Sequence, residues 1–205
     1  MVAFEQNAGL RVEAGGALIA DGTAQALILL TGTQAVRGWW NGIHIRRSNR
    51  QDNLFDHVTI EYGGQDDPFN QYDPGFALRI GGPAAASGLN DSEGQFATIA
   101  NPTLRQSAEY GLFIRGRAQV AFQNNRLTEN ALGAARMPSH VAGADLAVAS
   151  GASATITESG FRYAGPNQFG SYRYGLRVTS SSQVNDDACQ VNTFVQNAGG
   201  DCRID

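Results

Sequence analysis

The feature that most constrains this chain is a column of aliphatic residues that returns at a nearly fixed interval. Val12, Ile45, Ile80, Ile114, Val148 and Val178 lie 33, 35, 34, 34 and 30 residues apart, and each is preceded two positions earlier by Leu10, Ile43, Leu78, Leu112, Leu146 or Leu176. Apolar residues two apart share one face of a strand, so the column says that one strand recurs six times. The clearest unit is Trp39 to Gly64. In it Gly42-Ile43-His44-Ile45 and the stretch from Phe55 to Ile60 read as two strands, joined by a bend rich in Asn, Ser and Asp and closed by Gly63-Gly64. One such unit has too little apolar surface to fold alone, so it must stack on its copies.

A second column follows the first: Ile60, Leu104, Leu127, Phe161 and Phe194, with Ile28 as the member before them. From Ile45 to Ile60 is 15 residues, from Ile114 to Leu127 is 13, and from Ile80 to Leu104 is 24, the excess being an insertion from Gly81 to Gly94. The shortest turn, Leu104 to Leu127, is 23 residues, which suits three short strands with tight bends. No unit shows the i, i+3, i+4, i+7 pattern that helical repeats need. A coil of strands instead stacks each strand on its copy one turn away, giving parallel sheets. The sequence Phe4-Glu5-Gln6-Asn7-Ala8-Gly9 echoes Phe194 to Gly199, and Cys202-Arg203-Ile204 falls where Leu10-Arg11-Val12 would start another turn. Residues 1–205 therefore read as a single repeat domain, with the expectation that it is a segment of a longer array or is capped at both ends. Asn7, Asn130 and Asn197 follow the second strand at one offset and read as structural, since Asn tolerates left-handed bends and can ladder.

With these columns in hand, the chain resembles a right-handed parallel β-helix of the pectate-lyase-like superfamily. The blocks that carry the likeness are Gly22-Thr23 through Thr31, Trp40-x-Gly42-Ile43-x-Ile45, and Asn53-x-Phe55-x-x-Val58-x-Ile60-Glu61-Tyr62-Gly63-Gly64, which are similar to those of bacterial secreted and lipoprotein-type β-helices. The resemblance implies an all-β solenoid of about six turns. It implies little about chemistry, because lyases, hydrolases and adhesins share the fold.

Composition narrows the partners. The net charge is only −4, giving no reason to expect nucleic acid. No apolar run approaches membrane-span length, and no charged segment with an apolar stretch behind it opens the chain. All 15 basic residues are Arg, which suits bidentate contact with carboxylates and equally reflects base composition.

Between the core positions of the first strand, Arg11, His44, Arg79, Phe113, Ala147 and Arg177 should point outward, with Glu13, Arg46, Gly81, Arg115, Ala149 and Thr179 two places on. Stacked on successive turns about 4.8 Å apart, Arg11, His44 and Arg79 repel unless water, Glu13 or an anion relieves them. The face is either solvated or a basic stripe, with Arg46, Arg47, Arg79 and Arg115, that grips an acidic polysaccharide. Trp39, Trp40, Tyr62 and Tyr72 are candidate sugar-stacking rings or packing groups. The loop from Gln65 to Pro74 is either an ordinary turn or, through Asp66, Asp67, Asp73 and Asn70, a set of oxygen ligands for Ca²⁺ as a cofactor.

In lyases of the superfamily an Arg acts as base beside Asp-held Ca²⁺; the resemblance makes Arg79 and Arg115 the catalytic candidates by type alone. Cys189 and Cys202, 13 residues apart, are either paired, which would place the chain in an oxidising compartment, or free and buried. The expected function is an extracytoplasmic surface or glycan-binding module, secreted or at the bacterial cell surface, with polysaccharide or cell-surface glycan as partner. A lyase or hydrolase acting on acidic polysaccharide and a structural adhesin or stalk are the alternatives.

Overall fold

The computed structural model describes residues 1–65, 75–81, 95–130, 144–149, 153–157, 160–162, 174–179, 182–195, 197 and 200–205. Its strands run, in chain order, β1 (Val2–Phe4), β2 (Leu10–Val12), β3 (Ile19–Asp21), β4 (Ile28–Gly32), β5 (Ile43–Ile45), β6 (Leu54–Asp56), β7 (Val58–Glu61), β8 (Phe76–Ile80), β9 (Phe96–Ala100) and β10 (Thr103–Arg105). They continue with β11 (Tyr110–Arg115), β12 (Gln119–Gln123), β13 (Arg126–Thr128), β14 (Ala144–Ala149), β15 (Ser153–Thr157), β16 (Gly160–Arg162), β17 (Tyr174–Val178), β18 (Gln183–Val184), β19 (Thr193–Val195) and β20 (Gly200–Ile204). Within every sheet the strand number advances by three from neighbour to neighbour. Sheet one is β2-β5-β8-β11-β14-β17-β20, sheet two β3-β6-β9-β12-β15-β18, and sheet three β1-β4-β7-β10-β13-β16-β19. The pairings between them are parallel throughout, and the chain is a parallel β-helix that passes through sheets one, two and three in turn.

The first column holds in register: Val12 pairs with Ile45, Ile45 with Ile80, Ile80 with Ile114, Ile114 with Val148 and Val148 with Val178. Ile204 extends it and Cys202 extends the leucine column beside it. Ile45, Ile80, Ile114 and Val178 are wholly buried, each side chain contributing roughly 1.5–3 kcal/mol. The second column also holds from Ile60 through Leu104, Leu127 and Phe161 to Phe194. Its earlier member is Leu30, which pairs with Ile60, whereas Ile28 pairs with Val58.

Two further readings change. Phe55 to Ile60 is not one strand: His57, with φ 50°, turns the chain from β6 in sheet two to β7 in sheet three. A single left-handed residue shifts the inward positions from a spacing of two to three, so Phe55, Val58 and Ile60 all face the core. Asn101 and Asn124 make the same corner after β9 and β12, with φ 53° each. Asp56 ties the corners together, its Oδ1 lying 2.7 Å from His57 Nδ1 and accepting from Asn101 Nδ2 at 2.8 Å. Asn7 is also not equivalent to Asn130. Val2, not Phe4, stands in register with Leu30, so Asn7 lies two places further along and is exposed. Asn130 is buried, donating to Leu104 O at 2.9 Å and accepting from Ser107 Oγ at 2.9 Å, and Asn197 is buried likewise.

Polar side chains also stitch successive coils. Asn53, wholly buried, accepts from Leu18 N at 3.1 Å and donates to Phe96 O at 3.0 Å, fixing where β3, β6 and β9 begin. Gly42, at φ 84°, passes so near the next coil that a Cβ would lie 2.1 Å from Phe76 O. Cys189 and Cys202 are joined in a disulfide that closes the loop before β20.

Candidate functional site

The outer column of sheet one is in register as expected: Arg11, His44, Arg79, Phe113, Ala147 and Arg177 stand side by side, with Arg203 after them. It is not an open basic stripe. Phe76, Tyr110, Phe113 and Ala147 form a second apolar cluster on this outer face, with Tyr174 packed against it. Arg79 is only 1% exposed, its guanidinium 5.5 Å from the Phe76 ring centre and 5.7 Å from that of Phe113. Those ring faces carry part of what an anion would supply to a desolvated cation. His44 donates from Nε2 to Gly81 O at 2.9 Å, and Arg79 Nε donates to the same carbonyl at 3.2 Å. Burial, then the charge of Arg79, lowers the His44 pKa to about 3, so the ring is neutral and the stacked repulsion is relieved.

Toward the ends of this face charges are accessible. Glu13 lies 3.9 Å from Arg11 and 3.7 Å from Arg46. At the other end Asp205 lies 2.5 Å from Arg203 and 3.7 Å from Arg177, and Arg203 donates to the Tyr174 hydroxyl at 3.0 Å. Arg115 sits beside the cluster with its guanidinium 5.9 Å from the Phe113 ring centre.

The candidate stacking residues are dispersed. Trp40 is wholly buried, lies flat on Phe4 at 4.2 Å and donates to Glu61 O at 2.9 Å, so its ring has no face at the surface. Trp39 is half-buried at the corner between sheets three and one and donates to Thr33 Oγ1 at 3.0 Å; its backbone N–H donates to Tyr62 O at 3.0 Å. Tyr62, half-buried, takes a left-handed φ of 61° at the same corner. Tyr72, Asp66, Asp67 and Asp73, the calcium candidates among them, lie outside the described residues. Among the described residues no group of three His, Cys, Asp or Glu could hold a metal ion, and no helix is long and apolar enough to cross a membrane.

An open concavity lies elsewhere, on the outer face of sheet two. A trough of about 650 Å³ runs across β9, β12, β15 and β18. Its floor is the register column Thr98, Ala121, Thr155, all exposed. Two places away along β12, on either side of Ala121, stand the longer exposed side chains of Gln119 and Gln123. Phe96 pairs with Gln119 and lines the trough, which Gln183 and Asn185 close at its far end. Short side chains between long ones make the depression, because the sheet beneath is regular. The sequence signal was there in the alternating segments Phe96–Ala100 and Gln119–Gln123, but merging sheets two and three into one strand hid the face they share.

Set against known proteins, the chain matches no family model, no curated protein and no solved structure. What the three all-parallel sheets show is the parallel β-helix itself.

Proposed function

We propose that the protein is a glycan-binding module that works outside the cytoplasm. The observation that carries this reading is the trough on sheet two, an exposed depression whose polar side chains are hydroxyls and amides, with Phe96 and Ala121 among them. Such groups both donate and accept, as sugar hydroxyls do, and a sheet face holds them at fixed spacing without a loop to order first. The disulfide between Cys189 and Cys202 fits an oxidising compartment. The test is electrophoresis of the native protein through gels containing single polysaccharides, neutral and acidic, with a parallel assay for released fragments. Retardation by at least one polymer without fragments is the expected result. Fragment release would replace binding by lyase or hydrolase chemistry, and retardation by none would leave a structural spacer.

A further inference from the structure

The charges around the trough go further than its shape. Resting on the glycan-binding reading, we infer that the ligand is a linear, neutral polysaccharide lying along the coil axis in the trough of sheet two. Three observations lead there.

The first is direction. Thr98, Ala121 and Thr155 belong to successive coils, so the floor runs parallel to the axis and not along any one strand. From β9 to β18 it extends about 14 Å, three inter-strand steps. Gln119 and Gln123 flank the floor on both sides at β12, leaving a lane between them suited to an unbranched chain.

The second is charge. None of the residues lining the trough is ionisable. Along sheet two the column that contains Gln123 runs back through Ala100 to Asp56 and Asp21, so among the described residues in that column the charges that continue the lane beyond β9 are carboxylates. A uronate or sulfated polymer laid here would find no ionisable side chain in the lining and would pass carboxylates in register beside it, whereas the arginines of sheet one stand on another face of the coil.

The third is the chemistry of the lining. Gln119, Gln183 and Asn185 offer amide N–H and C=O groups, Thr98 and Thr155 offer hydroxyls, and the half-buried Phe96 adds an apolar edge against which a ring's C–H face can rest. Amides, hydroxyls and one aromatic ring together match an uncharged sugar.

The experiment uses the whole chain, soluble linear glucan, mannan and xylan as neutral probes, and polygalacturonate and alginate as acidic ones. Affinity is measured by native gel retardation at low salt and again near 1 M, where the Debye length is about 3 Å. At least one neutral polymer should bind with an affinity that changes less than about twofold with salt, and the acidic ones should not bind. Ala121→Trp, which fills the lane from an exposed position, should weaken binding at least about tenfold with the thermal transition unchanged. Thr155→Arg provides a second blockade should the first variant fold poorly. Binding of acidic polymers alone would overturn the inference while leaving the glycan-binding reading in place. Neutral binding that survives both substitutions would also overturn it, and silence across the whole panel would remove the broader reading itself.

Discussion

The outer faces of sheets one and two belong to the same coil, are built from the same alternation of inward and outward residues, and have opposite fates. On sheet one the outward positions include Phe113, with Phe76, Tyr110 and Tyr174 gathered beside it, and these rings shelter Arg79 from water. On sheet two Thr98, Ala121, Thr155 and the glutamines are too small or too polar to cluster, Phe96 stands without a second ring beside it among the described lining residues, and the face stays open there. The difference teaches that register fixes the side of a sheet on which a residue emerges but not whether it meets solvent. A large aromatic side chain carries roughly 150–250 Å² that gains by burial, and it will assemble an outer core wherever neighbouring coils supply more of the same. Arg79, which the sequence places on an outward face that is either solvated or a basic stripe, is thus part of the scaffold.

The sharpest way to break the comparison is to remove the wall that both faces share. Ile114 is wholly buried between Ile80 and Val148 in the inner column. Ile114→Asp puts an unpaired carboxylate there, at a cost that exceeds the roughly 5–15 kcal/mol of net stability typical of a domain once the lost packing is added. The variant should be insoluble or show no cooperative transition. A soluble Ile114→Asp protein that melts cooperatively would refute the register on which both faces depend.

The next test compares the faces directly. Arg79→Ala removes a buried cation from between two aromatic rings and leaves a void, so it should destabilise the protein by about 2–4 kcal/mol in chemical denaturation. Thr155→Ala, on the exposed floor of the trough, should change stability by no more than about 0.5 kcal/mol. Equal and small effects would mean that sheet one carries an ordinary solvated face after all.

What was legible in the sequence was the inward half of this pattern. Period-two alternation recurring at a fixed interval needs only apolar residues to be counted, and the columns from Leu10 and Val12 to Cys202 and Ile204 follow from it. The His57 corner was visible too, as the three-residue step from Phe55 to Val58, but a positive φ on a residue other than Gly carries no mark in the sequence beyond that break in period. The outward half was not legible. Whether Arg79 is solvated depends on Phe76, on Phe113 one coil further along, and on how the rings of successive coils close over it, and none of these is a property of the strand that bears it. Trp40 misled for a related reason: an aromatic beside a turn can stack on a sugar or, as here, on Phe4 from the preceding coil.

At neutral pH the last effect vanishes, and it reports on the closed face only as the pH falls. His44 titrates at about 3 in the folded protein, against an ordinary value near 6.5. Above pH 6.5 the ring is neutral whether the chain is folded or not, and contributes nothing to pH dependence. Below it the unfolded chain takes up a proton that the folded one refuses, so this residue lowers stability by up to about 1.4 kcal/mol for each pH unit down to about pH 3. Carboxylates titrate in the lower part of that window, so the quantity to measure is the difference between the native protein and His44→Phe, whose acid limb should be the shallower. The charges of Arg79, Arg11 and Arg46 all hold the imidazole neutral, with Arg79 the strongest of the three. Arg79→Ala should therefore raise the His44 pKa in an NMR titration and reduce the difference in slope. An unmoved His44 resonance in that variant would mean that the two side chains do not share one buried environment, and the closed face would lose the observation that separates it most clearly from the open one.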